Sequence, residues 1–348
     1  MNTKILGNSL TFKTFGWLKV NNTEIFMPEG IKQEYYLKSD KKLDVEEFKN
    51  VKYGVSEECI ELNDKFGNLY RSYVSSKDAE INEIVDLKQD SKNNILFDTH
   101  DLIAEENSKL NLILNYNSIS NSDKYRNSII RILAKENSQV NLYVIQNGDE
   151  KSFSLESILV KAEKNSSVNL CQFELGSKEL YTNFQGNLIG NESNLNIDSI
   201  YFGYDDNKIN MLYDILHYGE ETKSEVVVNG ALKDNSYKNF KSTLDFKEGS
   251  SFAVGSEEEY VVLMDDSVTA LSVPILLAHE DNVEGNHAAS AGKIDQQLLF
   301  YIMSRGFNQV EAESLIIESK FSRAIDKLEN EELKEKLWKN IFGIARRR

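Results

Sequence analysis

The chain is 348 residues long with a formal net charge of −16 and a pI near 4.9, enough to bury a large core in two or three domains without metals or disulfides. The acidic excess argues against nucleic acid or an anionic membrane as partner, because phosphate-rich surfaces would be repelled over most of the protein. Only two cysteines (Cys59 and Cys171), no apolar leader in MNTKILGNSLTFKTF and no apolar run near the ~20 residues that span a bilayer together predict a cytoplasmic chain.

Residues 1–80 read as an N-terminal mixed region. Aromatics alternate there with charged runs such as KSDKKLDVEEFKN and SSKDAEINEIVDLKQDSKNN, a pattern of small helices or strands joined by exposed loops. With only Pro28 and Pro274 in the chain, turns must be built from Asn, Asp, Ser and Gly, which suits a coiled stack of short strands.

Residues 81–292 carry a repeat and read as a parallel β-helix. The segments ENSKLNLIL, ENSQVNLYV, KNSSVNLCQ and NESNLNIDS share a polar turn followed by an alternating strand. Their anchors Ser108, Ser138, Ser166 and Ser193, continued by Thr222 and Ser250, fall at intervals of roughly 27 to 30 residues, the period class of solenoids. Apolar–Asn–apolar follows each early anchor, from Leu110-Asn111-Leu112 to Leu195-Asn196-Ile197. The apolar pair therefore faces a shared interior, and Asn111, Asn141, Asn169 and Asn196 stack outside it at about 4.8 Å spacing. A second strand precedes each turn, as in SIIRILAK and LESILVKA, so one rung is strand, turn, strand and return. Stacked amides that satisfy one another account for the Asn column. A carbohydrate-binding column would want exposed aromatics beside it, and the outward positions offer only scattered tyrosines.

Residues 293–348 switch to helical periodicity. A first helix is capped by Asp295 and stopped at Gly306, with Leu298, Leu299 and Ile302 on one face; Asn308 with Glu311 is a capping-box start for a second; Asn330 opens a third with a Leu333, Leu337, Ile341 stripe. The closing Arg346, Arg347 and Arg348 suit the negative end of that last helix better than a nucleic acid.

At the junction of solenoid and helices, LLAHEDNVEGNHAASAGKIDQQLLFYIMSRGFNQVEAESLIIESKF (Leu277 onward) resembles the SufB/SufD family of iron–sulfur cluster assembly. The match rests on His287-Ala288-Ala289-Ser290, then Gly-Lys-Ile-Asp before Leu-Phe-Tyr, then Ser-Arg-Gly opening a helix; it covers residues 210–321 and is architectural before them. The resemblance implies a right-handed parallel β-helix with a C-terminal helical domain. It further implies a sister subunit paired through the terminal rungs and an ATPase, SufC, docked on the helices. Transferred to this chain, Leu298, Leu299, Phe300, Tyr301, Arg305 and Gly306 would dock SufC, and strands containing Val261, Val262, Leu263, Val283 and Ala288 would meet a SufB-like subunit or a second copy. SufB-like chains carry a Cys on the preceding strand and a Glu after the junction His; SEEEY (Ser256–Tyr260) and Ala288 stand there, so the SufD-like branch fits better. The resemblance makes His287 the iron or cluster candidate, its imidazole joining thiolates from the partner.

Read without the resemblance, His287 is a structural strand-end histidine hydrogen-bonded to backbone, and His217 and His279 are exposed turn residues. Cys171 reads as a packed or surface side chain. SEEEYVVLM replaces a glutamine-rich strand of SufD-like chains, which removes the expectation of a polar relay there. No phosphate loop, HExxH or paired CxxC occurs, so a non-catalytic scaffold is expected; a β-helix carbohydrate-active enzyme or adhesin-like solenoid is the alternative.

Overall fold

A computed structural model describes residues 4–28, 37–118 and 122–347 of the chain; Arg348 lies outside the described residues. Two short antiparallel strands, β1 (Lys4–Gly7) and β2 (Thr23–Phe26), and a helix, α1 (Glu57–Phe66), precede the main body. The strands that follow are β3 (Leu69–Ser75), β4 (Glu80–Gln89), β5 (Ile95–Ala104), β6 (Lys109–Ser118), β7 (Lys124–Ala134), β8 (Gln139–Asn147), β9 (Ser152–Ala162), β10 (Ser167–Leu175), β11 (Glu179–Leu188), β12 (Asn194–Gly203), β13 (Lys208–His217), β14 (Lys223–Leu232), β15 (Tyr237–Phe246), β16 (Val254–Leu263), β17 (Thr269–Ala278) and β18 (Glu284–Lys293). Odd-numbered strands form one eight-stranded sheet and even-numbered strands a second, each strand parallel to the one a coil earlier. This is the parallel β-solenoid that the repeat predicts.

The turns explain why the repeat has its sequence. Asn107, Asn137 and Asn165 sit at φ 57°, 58° and 53°, the left-handed region that Asn tolerates better than most residues. The next residue, Ser108, Ser138 or Ser166, returns its amide to the carbonyl three residues earlier, closing the turn. The strand then alternates. Leu110, Leu112, Val140, Leu142, Val168, Leu170, Leu195 and Ile197 fill the interior with essentially no exposure. The outward amides form the expected ladder, Asn196 donating to Asn169 (2.9 Å), Asn169 to Asn141 (2.8 Å), Asn141 to Asn111 (2.6 Å) and Asn111 to Asn82 (2.7 Å).

Both outer faces of the solenoid are covered, as buried parallel sheets require. The N-terminal segment lies on the odd sheet, where Ile5, Ile25, Val55 and Cys59 pack against Phe97, Tyr125, Phe153 and Tyr181. Three C-terminal helices, α2 (Gln296–Ser304), α3 (Gln309–Asp326) and α4 (Glu331–Ala345), lie on the even sheet over Phe173, Ile200, Phe202 and Ala231. Their caps are the predicted ones: Asp295, the Asn308–Glu311 capping box and Asn330. Arg323 of α3 pairs with Asp198 and Glu225 at 2.7 Å each, and Lys327 also reaches Asp198, so the helices are fastened to the coil. Arg346 stacks on Phe342, and the Arg347 guanidinium lies 4.5 Å over the Tyr204 ring, which pins the tail to the solenoid as well.

The coil begins earlier than the predicted boundary at 81. Leu69–Ser75 already pairs with β5, and EINEIVDLKQ, inside a run read as small helices or strands joined by exposed loops, is the first strand of the even sheet. Its charges suit an edge strand of a first coil, which keeps its outer side chains in water. The chain also caps this end of the odd sheet: the Leu37 and Asp40 amides bond to the Asn68 and Tyr70 carbonyls, and Leu37 packs against the interior.

Candidate functional site at the open end of the solenoid

Among the described residues the far end has no such cap. There β17 pairs only with β15 and β18 only with β16, and most residues of β18 are exposed. Backbone polarity follows from the register. Glu284 donates to Ala253, so the even-numbered amides of β18 face β16, and those of Gly285, His287, Ala289, Ala291 and Lys293 point to the free edge. On β17, Thr269 donates to Ser236 and His279 to Phe246, so the free edge falls to even-numbered residues and is interrupted where Pro274 has no N–H.

Behind this edge the lumen is charged. Within SEEEY, alternation turns Glu257 and Glu259 inward, at positions filled one coil earlier by Val226 and Val228. Glu259 accepts from Lys238 (2.5 Å), Ser272 (2.5 Å) and Tyr201 (3.1 Å); Lys238 also reaches the Leu271 carbonyl and the Ser272 hydroxyl at 2.9 Å. Burial draws the Lys238 ammonium below its ordinary value even with Glu259 beside it. Glu257 accepts from the Ser242 hydroxyl, and burial pushes its carboxyl up to about 7, so it exchanges a proton near neutral pH. The replaced strand thus supplies buried carboxylates where the sequence led us to expect no relay. The signal was available: two carboxylates in the inward register of a strand.

His287 sits opposite Glu257 in the β16–β18 register, exposed at the mouth of the lumen, and the described residues give its ring no hydrogen-bond partner. It is therefore not the backbone-bonded strand-end histidine of the alternative reading. Ala288 is exposed on the outer side of the same strand and Val283 is half-buried in the turn before it. Val261 and Val262 are not available to a partner: they lie on β16, which β18 already covers, Val261 in the lumen and Val262 beneath the helices; Leu263 of the same strand is partly buried. Of the two strands named from sequence, the one holding Ala288 is the open edge β18, and the one holding Val261, Val262 and Leu263 is covered by it.

One further correction concerns a histidine. His217 is fully buried, between Thr222 (2.8 Å) and Ser224 (2.9 Å), stacked 4.7 Å from Phe246, and burial lowers its ring to about 4. Ending a strand in the inward register of Ile209, Met211, Tyr213 and Ile215, it could not face solvent. His279 is exposed, 3.6 Å from Asp245. His100, given no role from sequence, is buried with Asp98 (2.8 Å), whose carboxyl also receives Tyr116 and Ser128. Burial alone would raise Asp98, but His100, Arg126 and Ser128 together hold it below its ordinary value. Arg126 in turn meets Glu156 at 2.8 Å, in the next coil.

The chain's own thiols do not suit a cluster. Cys59, on α1, is buried against the odd sheet and Cys171 beneath the C-terminal helices, and burial pushes them up to about 11 and about 12, away from the thiolate a cluster needs. Among the described residues no group of three or more His, Cys, Asp or Glu side chains could hold a metal. The exposed His287 imidazole can supply a single ligand.

On α2, Leu299 is turned inward and buried, which removes it from the predicted docking set, whereas Leu298, Phe300, Tyr301, Arg305 and Gly306 are exposed. Met303 and Phe307 extend that exposed apolar face, and Arg305 stacks on Tyr301 at 5.0 Å. No helix of the described residues is long and apolar enough to cross a membrane.

Comparison with known proteins agrees with this geometry. The profile described as SUF system FeS cluster assembly, SufBD core domain, matches residues 87–320. Iron-sulfur cluster assembly protein SufD of Bacillus subtilis is 25% identical over 250 residues, 71% of this chain and 57% of the relative. An iron-sulfur cluster assembly SufBD family protein of Staphylococcus saprophyticus is 22% identical over 217 residues (62% and 47%). A SufBD family protein of Mycobacterium tuberculosis is 22% identical over 199 residues (57% and 24%). The chain thus spans little more than half of the first relative's length and less of the others.

Proposed function

The chain belongs to the SufBD core-domain family of SUF iron–sulfur cluster assembly, and from that premise we propose that it is a SufD-like, non-catalytic scaffold whose open solenoid end pairs with a SufB-like subunit and whose α2 face docks the SufC ATPase. The observation that carries the reading is the uncapped final coil. β4 at the first coil is also a sheet edge, but a charged one, EINEIVDLKQ, whereas β18 presents an unbroken row of free backbone donors with mostly small side chains, GNHAASAG, that permit close approach. Such an edge invites another strand. The β17 edge, broken at Pro274, cannot give a complete ladder, so the continuous register belongs to β18.

SufC docking is supported by the exposed Leu298, Phe300, Tyr301 and Met303 on a helix anchored through α3 to Asp198 and Glu225; movement imposed on α2 would be passed to the coil. The cluster is cargo in this account. With its own thiols buried, the chain would offer it the His287 imidazole at the mouth of the lumen, and the thiolates would come from the partner. Co-expression of a tagged copy with SufB-like and SufC-like proteins of the same organism tests the reading: retention of both, in a complex of matching native mass, is expected, and retention of neither would sink it.

A further inference from the structure

We infer that the aromatic loop Phe12–Leu18 is a preformed prong that grips the outer wall of the SufB-like subunit, so that pairing buries a lateral apolar surface as well as the sheet edge. The inference rests on the pairing proposed above. Phe12, Phe15 and Trp17 are 57%, 73% and 76% exposed, an unusual display for a soluble surface. The loop is nevertheless built. Thr14 donates its amide (2.7 Å) and hydroxyl (3.0 Å) to the Asn21 side chain, which returns a bond to the Thr14 carbonyl (2.9 Å), and the Leu10 amide bonds to the Asn21 carbonyl across the same neck. Lys19 closes the loop in the left-handed region at φ 55°, and the Phe15 and Trp17 rings are already stacked. Large aromatics held in place before binding are the groups that dominate interfaces, because little ordering remains to be done.

Position selects the occupant. The N-terminal segment advances along the coil: Ile5 packs near Phe97 to Tyr181, the Asn8 side chain bonds to carbonyls of β11 and β13, and its own carbonyl accepts from Lys241 of β15. Gly16 and Lys19 then line a groove of about 710 Å³ with Tyr237 and Asn239 of β15, whose register partners on β17 are Thr269 and Leu271. The loop therefore stands over β11 to β15, and β15 is the neighbour of β17, the last strand of that sheet. There the outer face changes character: Asn239, Lys241, Thr243 and Asp245 on β15 give way to Leu271, Val273, Ile275 and Leu277 on β17. With Ala270, Pro274 and Leu276 inward, β17 has the composition of a strand covered on both faces, yet Leu271 and Leu276 are exposed. Prong and outer stripe both offer apolar side chains toward the pairing end, and the prong is edged by exposed Lys13 and Lys19 in a chain of net charge −16, which fits an apolar wall rimmed with carboxylates.

Trp17 and Trp338 are the only tryptophans, so Trp338→Phe leaves Trp17 as the sole indole reporter. Titration of this variant with the purified SufB-like subunit of the same organism is expected to shift Trp17 emission to shorter wavelength and reduce acrylamide quenching, and Phe12→Ser with Phe15→Ser to weaken the complex about tenfold or more. A complex of the right mass with Trp17 unchanged, or undiminished affinity of the serine variant, overturns the prong and leaves pairing intact. No complex by native mass overturns the pairing and the prong with it. Trp17 burial on concentrating the chain alone, or on phosphatidylglycerol vesicles, assigns the surface to a second copy or to lipid and overturns the inference.

Discussion

Replacing Lys238 by Met removes the cation from a pair in which neither side chain is more than 1% exposed. The Lys238 Nζ lies 2.5 Å from Glu259 and also bonds to the Leu271 carbonyl and the Ser272 hydroxyl, so the variant strands a carboxylate and loses the bridge from β15 to β17. Orphaning one member of a buried pair costs about 3–5 kcal/mol, against about 0–1 kcal/mol for an exposed pair. Because coils stabilise mainly their neighbours, the damage should concentrate in β15–β18. Denaturant unfolding with hydrogen exchange resolved by segment measures both, and Lys238→Met combined with Glu259→Leu should recover most of the loss. A single-variant loss below about 1 kcal/mol would refute the view that this lumen excludes water.

Other expectations follow from the same coils. The Glu257 carboxyl, ordinarily at 4.5, stands at about 7 in the folded chain, so its contribution to stability is full below pH 4.5 and is lost as pH rises through 7. Glu257→Gln should therefore gain on the natural chain by about 3 kcal/mol between pH 5 and pH 8, and an equal offset at both pH values would contradict this. A Cβ on Gly230 would collide with the Tyr201 ring, so Gly230→Ala should cost about 1–3 kcal/mol in denaturant unfolding by displacing a donor to Glu259. Phe300→Asp, at a 75% exposed position, should leave stability within about 0.5 kcal/mol and abolish SufC retention in a pull-down. His287→Ala should leave the complex assembled and lower the cluster yield read by absorbance; an unchanged yield removes His287 from the site.

The rungs were legible because their physics is local. Asn before Ser makes the left-handed turn, and Leu-Asn-Leu alternation sorts interior from ladder, so the fold could be read from residues 106–200 before any contact was known. The helix caps were legible for the same reason, since Asn308 and Glu311 satisfy each other's backbone within one turn. The site was less so, because its partners are one coil apart or on opposite sheets: Arg126 meets Glu156, and Lys238 meets Glu259. His217 needed only a parity count from Ile209, whereas the burial of Val262 and Leu299 depends on where the helices return, which no spacing encodes. The N-terminal segment was opaque because it takes its shape from the sheet it covers, with Asn8 tied to residues more than 170 positions away.

The pairing of β18 with a SufB-like subunit is tested most directly by residue-resolved amide exchange across Glu284–Lys293, with and without that subunit. The amides of Gly285, His287, Ala289, Ala291 and Lys293, which face the free edge, should gain protection on binding, while the even-numbered amides already bonded to β16 change little. A complex that forms while the odd-numbered amides keep exchanging at their free rate would contradict the account.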